Sequence, residues 1–146
     1  MTQVSENFKR SEFECPCGCG FAAVDVVLLK TLENFRAFLN EEQCKVRIII
    51  LSGCRCFTHN AKVGGAPKSY HLRGLGVDFI VLYSSKNRRM CPDLVTFYFN
   101  CMYHDRFGFI TYDTFNHLDV RDDSFFRLDK PMQRITHEQG QTKILE

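Results

Sequence analysis

No stretch of the sequence approaches the roughly 18 to 20 consecutive apolar residues that a membrane-spanning helix needs, so membrane insertion is not expected. The first ten residues, Met1 to Arg10, are polar and hold no apolar core of the kind that opens a secretory signal. Any work outside the cell would therefore require release by lysis or a holin, carriage by another system, or a leader already trimmed. Charge of one sign is equally scarce, since 19 Lys plus Arg face 17 Asp plus Glu. That balance announces no nucleic-acid partner, and the small basic excess is at most compatible with an anionic polymer. Internal repeats and low-complexity tracts are missing too. At 146 residues and 45% hydrophobic content, this leaves one domain over residues 1–146, with enough apolar mass to bury a core without cross-links. A monomer is expected.

Cysteine, by contrast, is plentiful. The eight are many for a cytosolic chain of this size, yet fewer than a disulfide scaffold carries. Cys15, Cys17 and Cys19 crowd into one run, and Cys54 and Cys56 into another. Neighbours of the C-x-C type rarely bridge each other, so a disulfide would join one cluster to the other or to a distant cysteine. The usual structural zinc spacing is C-x2-C or longer, which this is not. Reduced thiols, a disulfide and a second metal all stay open.

From Val24 to Asn40 the residues Leu28, Leu32, Phe35 and Leu39 recur at steps of three and four, the stripe of an amphipathic helix. Lys45 to Leu51 is a short β-branched run ending at Ser52-Gly53, a buried strand. Cys54 to Gly74 reads as a long irregular segment, and loops of that length inside a domain are usually functional. Gly76 to Tyr83 is a second core strand, and Pro92 opens a helix to about Tyr103. Phe107 to Tyr112 and Phe115 to Arg121 read as a hairpin at the sheet edge, turning at Asp113-Thr114. Beyond Asp129, a polar tail from about residue 130 is expected to be loosely held. The order suits an α+β domain with helices packed on one face of a mainly antiparallel sheet.

Two of the five histidines stand in segments that could supply a histidine and an acid to one site. One segment runs from Ser69 through His71 to Asp78, and the other is His117-Leu118-Asp119. A hydrolytic zinc site needs three imidazole or carboxylate ligands and one open position. Fully extended, the seven steps from His71 to Asp78 would span about 23 to 25 Å, so both can reach one ion only if the chain turns back. Gly74 and Gly76 permit that turn. Asp78 then enters a strand among Val77, Phe79 and Ile80, where an acid is costly unless paired or bound to metal. His117 and Asp119, two apart on a strand, share a face. Arg55 follows the end of a strand and carries a permanent charge suited to gripping a carboxylate. A surface ion pair is its plainer alternative. His59, His104 and His137 read as packed or solvent-facing.

The order of motifs resembles the M15 peptidases. Ser11-Glu12-Phe13 with the CPCGCG run, Ser52-Gly53-Cys54-Arg55, His59-Asn60 with Val63-Gly64-Gly65-Ala66, Ser69-Tyr70-His71 through Asp78, and His117 to Arg121 carry the likeness across roughly residues 8–121. Its nearest branch is that of zinc D-Ala-D-Ala carboxypeptidases and phage endolysin peptidases. The resemblance implies a Hedgehog/DD-peptidase fold, one zinc, and cleavage of peptide bonds in peptidoglycan stems. It also implies His71, Asp78 and His117 as metal ligands, Arg55 as holder of the substrate carboxylate or oxyanion, and Ser69 at the rim of the site. Two positions depart from the pattern. The acidic base that many relatives carry three residues before the last ligand is Thr114 here, which leaves Asp119, favoured by its shared face with His117, or Asp113. The alanine common two residues before the ligand Asp is Gly76, expected to loosen the start of the strand. Three other readings stand beside a carboxypeptidase: an endolysin-type endopeptidase cutting L-Ala to D-Glu or a cross-bridge, a non-catalytic zinc module that binds a wall peptide, and a cysteine-centred redox or zinc-knuckle protein.

Overall fold

Side chains alternate across a strand, and in this chain that alternation divides one sheet into a core face and a polar face. The computed structural model describes residues 2–42, 45–121, 125–130, 134–136 and 141–143. A 3-10 turn at Arg10–Phe13 is followed by α1 (Val26–Glu42), β1 (Val46–Ser52), α2 (Phe57–Lys62) and a second 3-10 turn at Tyr70–Arg73. Then come β2 (Gly76–Tyr83), β3 (Arg88–Arg89), α3 (Pro92–Met102), β4 (Phe107–Thr111), β5 (Asn116–Asp119), β6 (Phe125–Asp129), β7 (Arg134–Thr136) and β8 (Gln141–Lys143). The main sheet runs β1-β2-β5-β4-β6, with β3 on the end of β2, and β7 pairs with β8 separately. Every pairing is antiparallel except β4 with β6. The architecture is α+β with a mainly antiparallel sheet.

The core face is aromatic. Phe35 of α1 meets Phe79 of β2 at 6.4 Å and Phe99 of α3 at 5.3 Å, while Phe99 stacks on Phe109 of β4 at 4.1 Å. All four are fully buried, each contributing roughly 1.5 to 3 kcal/mol by leaving water. Val77, Val81 and Leu118 join the same cluster. The residues between them, Asp78, His117 and Asp119, therefore face the other way. At the start of α1, Asp25 Oδ2 accepts from the amides of Val27 (2.8 Å) and Leu28 (3.3 Å), filling two donors that the first turn cannot.

Asn40 ties the end of α1 to β1. Its Oδ1 accepts from Val46 N at 3.1 Å and its Nδ2 donates to Val46 O at 3.2 Å and to Arg36 O at 2.8 Å. Replacing it with alanine strands groups of a half-buried strand end and should cost about 1 to 2 kcal/mol. A urea midpoint that falls with unchanged slope would show it.

Three features differ from the sequence reading. The 107–121 hairpin lies inside the sheet, because β6 returns alongside β4 and covers it. β6 is half exposed, so its apolar pattern is too weak to announce a strand. Within 54–74 the backbone forms α2 and a 3-10 turn, and the tail carries the β7–β8 ribbon. Among the described residues no helix is long and apolar enough to cross a membrane.

Candidate metal centre

The chain does turn back between His71 and Asp78. His71 sits in the 3-10 turn capped by Ser69, whose Oγ accepts from His71 N at 3.2 Å. Gly74 ends that turn in the left-handed region (φ +67), which glycine enters without strain. A Cβ there would also stand 2.6 Å from Ala23 O. β2 starts two residues later, and its register with β5 sets Asp78 directly opposite His117. Opposed residues put neighbouring side chains on one face, and His71 closes over that pair.

The three donors converge. Asp78 Oδ1 is 2.9 Å from His117 Nδ1 and 3.4 Å from His71 Nε2, and all three ligand atoms lie within 4.8 Å of one another. Bonds of about 2.0 to 2.1 Å to a tetrahedral ion imply donor separations of about 3.3 to 3.4 Å, so small adjustments fit the set to a cation. His71, Asp78 and His117 form a group able to hold a metal. The partners of the two rings choose the atoms. His71 Nδ1 lies 2.6 Å from Gly53 O, and donation to that carbonyl leaves Nε2 as the ligand atom. His117 Nε2 lies 2.8 Å from Asp119 Oδ2, and donation there leaves Nδ1 facing Asp78. Outer hydrogen bonds of this kind fix tautomer and orientation in metal sites.

Charge stabilises the two buried acids. Burial pushes the Asp78 carboxyl up, but the neighbouring His71 and His117 rings, when protonated, outweigh it and hold the group well below the usual carboxylate range. Burial likewise opposes ionisation of Asp119, and Arg121 and His117 overcome it. Arg121 grips Asp119 with two bonds of 2.6 Å, Nε to Oδ1 and Nη2 to Oδ2. Its guanidinium lies 4.6 Å over the Tyr70 ring and 4.7 Å over Phe126. The anion on Asp119 in turn raises the Arg121 pKa.

The other residues singled out from sequence fall as follows. Arg55 is buried beside Asp78, Nη2 to Oδ2 at 3.5 Å, with Nη1 3.3 Å from Asn60 Oδ1. Ser69 is buried, and its Oγ accepts from the backbone amide of His71. Asp113 is exposed in the turn between β4 and β5, facing the charge of Lys130, and does not join the buried group. Asp119 is at the site, but both its oxygens are engaged. His59 is half-buried on α2, His104 is exposed beside Asp105, and His137 lies outside the described residues.

Sequence reasoning missed three contributors. Gly53 acts through its carbonyl, which no side chain reports, and through its bareness, since a Cβ would lie 2.5 Å from Phe13 Cα. Gly108, opposite Asp119 in β4, leaves room for the Asp119–Arg121 pair, and a Cβ there would stand 2.6 Å from Arg121 Nε. Arg121 was visible two residues after an acid on a strand, the one local signal available. A family model described as Peptidase M15 matches residues 6–119, most of the chain and all of the residues that build the three-donor group. No curated protein and no solved structure matches.

Proposed function

The chain belongs to the M15 peptidase family, and from that premise we propose that it is a zinc metallopeptidase that hydrolyses peptidoglycan stem peptides, releasing a terminal D-alanine. The observation that supports this reading is the buried convergence of His71 Nε2, Asp78 Oδ1 and His117 Nδ1, with both ring tautomers set from outside. Two imidazoles and one carboxylate suit zinc. On the same reading, the helices over one face of an antiparallel sheet are those of the Hedgehog/DD-peptidase fold.

Zinc held there would lower the pKa of a bound water to about 7 and polarise the scissile carbonyl. The chain's own groups prepare the site. Gly53 O and Asp119 keep the ligating nitrogens bare, and Arg121 keeps Asp119 ionised and in place. Arg55, on the outer oxygen of Asp78, offers a fixed cation to the carboxylate or developing oxyanion of a substrate. Because both oxygens of Asp119 are occupied, Asp119 acts through His117 as a positioning residue. Asp119→Asn should lower zinc affinity about 10- to 100-fold, and saturating zinc should restore most of the turnover. A variant that stays inactive when fully loaded with zinc would instead make Asp119 the proton acceptor.

The test of the whole reading is product analysis on zinc-loaded protein with a free stem pentapeptide and with cross-linked wall. D-alanine released from the pentapeptide is the expected result. Internal cuts confined to the wall would make it an endopeptidase of the endolysin kind. Binding without hydrolysis across a broad panel would make it a zinc-dependent recognition module.

A further inference from the structure

The cysteine run after the first 3-10 turn is folded into a knuckle. Cys15 N donates to Phe21 O at 2.8 Å and Gly18 N to Cys15 O at 3.4 Å, with Gly18 and Gly20 at φ +83 and +88. Those angles suit glycine and admit other residues only with strain. The curl brings three sulfurs to one side, and Cys56, at the start of α2, meets them there. Sulfur separations are 3.5 Å for Cys15–Cys17, 3.8 Å for Cys15–Cys56 and 3.7 Å for Cys17–Cys56. With Cys19 included, the four lie within 4.8 Å of one another.

Two lengths decide between a bond and an ion. A disulfide holds its sulfurs at about 2.05 Å, far inside every separation seen. Four thiolates around zinc, with bonds of about 2.3 Å, stand about 3.8 Å apart along each tetrahedral edge, and the observed edges lie close to that. The spacing Cys-x-Cys-x-Cys is tighter than the usual zinc motif, but the knuckle and a fourth donor from beyond β1 supply what spacing alone does not. Amides also point at the sulfurs, Cys56 N at Cys15 Sγ and His59 N at Cys56 Sγ, both 3.4 Å. Such donors stabilise negative sulfur.

We propose that Cys15, Cys17, Cys19 and Cys56 form a second metal site, structural and all-sulfur, that takes one zinc or a comparably thiophilic divalent ion. It shares no residue with the His71–Asp78–His117 group. Its effect on that group runs through the backbone, because Cys56 directly follows Arg55, whose amide donates to His71 O at 2.9 Å. The ion would fasten the N-terminal segment to the loop that carries Arg55. Neighbouring Cys54 already pins the same seam, with Sγ 3.1 Å from Phe13 O and 3.2 Å from Phe21 O.

The test is metal content and thiol labelling of the full chain purified under reducing conditions with zinc. Wild type should hold two zinc ions, and both His71→Ala and the double variant Cys17→Ser/Cys19→Ser should hold one. In His71→Ala, Cys15, Cys17, Cys19 and Cys56 should resist a thiol reagent until a chelator is added, and cobalt in place of zinc should show thiolate charge-transfer absorption. His71→Ala protein that holds no metal and labels at Cys17, Cys19 and Cys56 without a chelator would overturn the proposal, as would a disulfide between these cysteines. That arm needs no cysteine variant and no activity, so it stands even if the double variant does not fold or the peptidase reading fails.

Discussion

Replacing His71 or His117 with alanine should abolish wall hydrolysis and remove the zinc held by the three-donor group. Both rings are fully buried, and each is aligned by a second hydrogen bond, so neither vacancy can be filled by a nearby side chain without moving a strand or the 3-10 turn. With two donors left, the ion loses affinity. With the ion lost, the water activation it would supply is lost as well, and turnover should drop to background. The same variants should also lose the stabilisation that this zinc gives. A ligand at a hundred times its Kd adds about 2.7 kcal/mol, which for a domain of this size is roughly 10 °C in melting temperature. Differential scanning fluorimetry across a zinc titration, with metal analysis and wall hydrolysis on the same samples, reads all three together. Variants that still cut wall, or a wild type that binds no zinc at these residues, would sink the peptidase mechanism.

The convergence of His71, Asp78 and His117 was legible in part because two separate features of the sequence had to agree. Gly74 allowed the chain to double back after His71, and the strand pattern of 76–83 carried an acid where only a paired or metal-bound one is tolerable. Pairing register was not legible. A slip of one residue between β2 and β5 would have turned His117 to the helix face, and nothing in either strand's own pattern says which residue of the other it will oppose. Acceptors without side chains, such as Gly53 O, leave no letter to read. The role of Arg121 cannot be read from its own segment, because it depends on Asp119 being buried and on Gly108 being bare in a third strand. At Ser69 and Asp113 residue type suggested chemistry, and the fold sets Ser69 against the backbone of His71 and leaves Asp113 exposed in a turn. Cys56 was seen as half of a C-x-C pair, while its partners in space lie before α1.

Arg55→Ala should lower kcat/KM ten- to a thousandfold, about 1.4 to 4 kcal/mol of transition-state stabilisation, while leaving zinc bound. The reasoning starts from the confinement of the side chain. Its amide is held by His71 O, its guanidinium lies against Asp78 Oδ2 and Asn60 Oδ1, and Gly65 leaves room for it, since a Cβ there would stand 2.9 Å from Nη1. A cation so placed touches the outer oxygen of a ligand without taking the oxygen that faces the histidines. Removing it leaves all three donors intact, which is why metal content should not change. Arg55→Lys should fall between, since it keeps the charge and loses the two-pronged fork. Two measurements separate the roles this cation could have. If it holds the terminal carboxylate of a stem peptide, an amidated substrate should lose as much with wild type as the free acid loses with Arg55→Ala. If it serves the oxyanion, amidated and free substrates should suffer alike in the variant, through kcat. Should Arg55→Ala instead lose zinc and recover full kcat once zinc is saturating, the residue would be a support for Asp78, and the catalytic role given to Arg55 would be wrong.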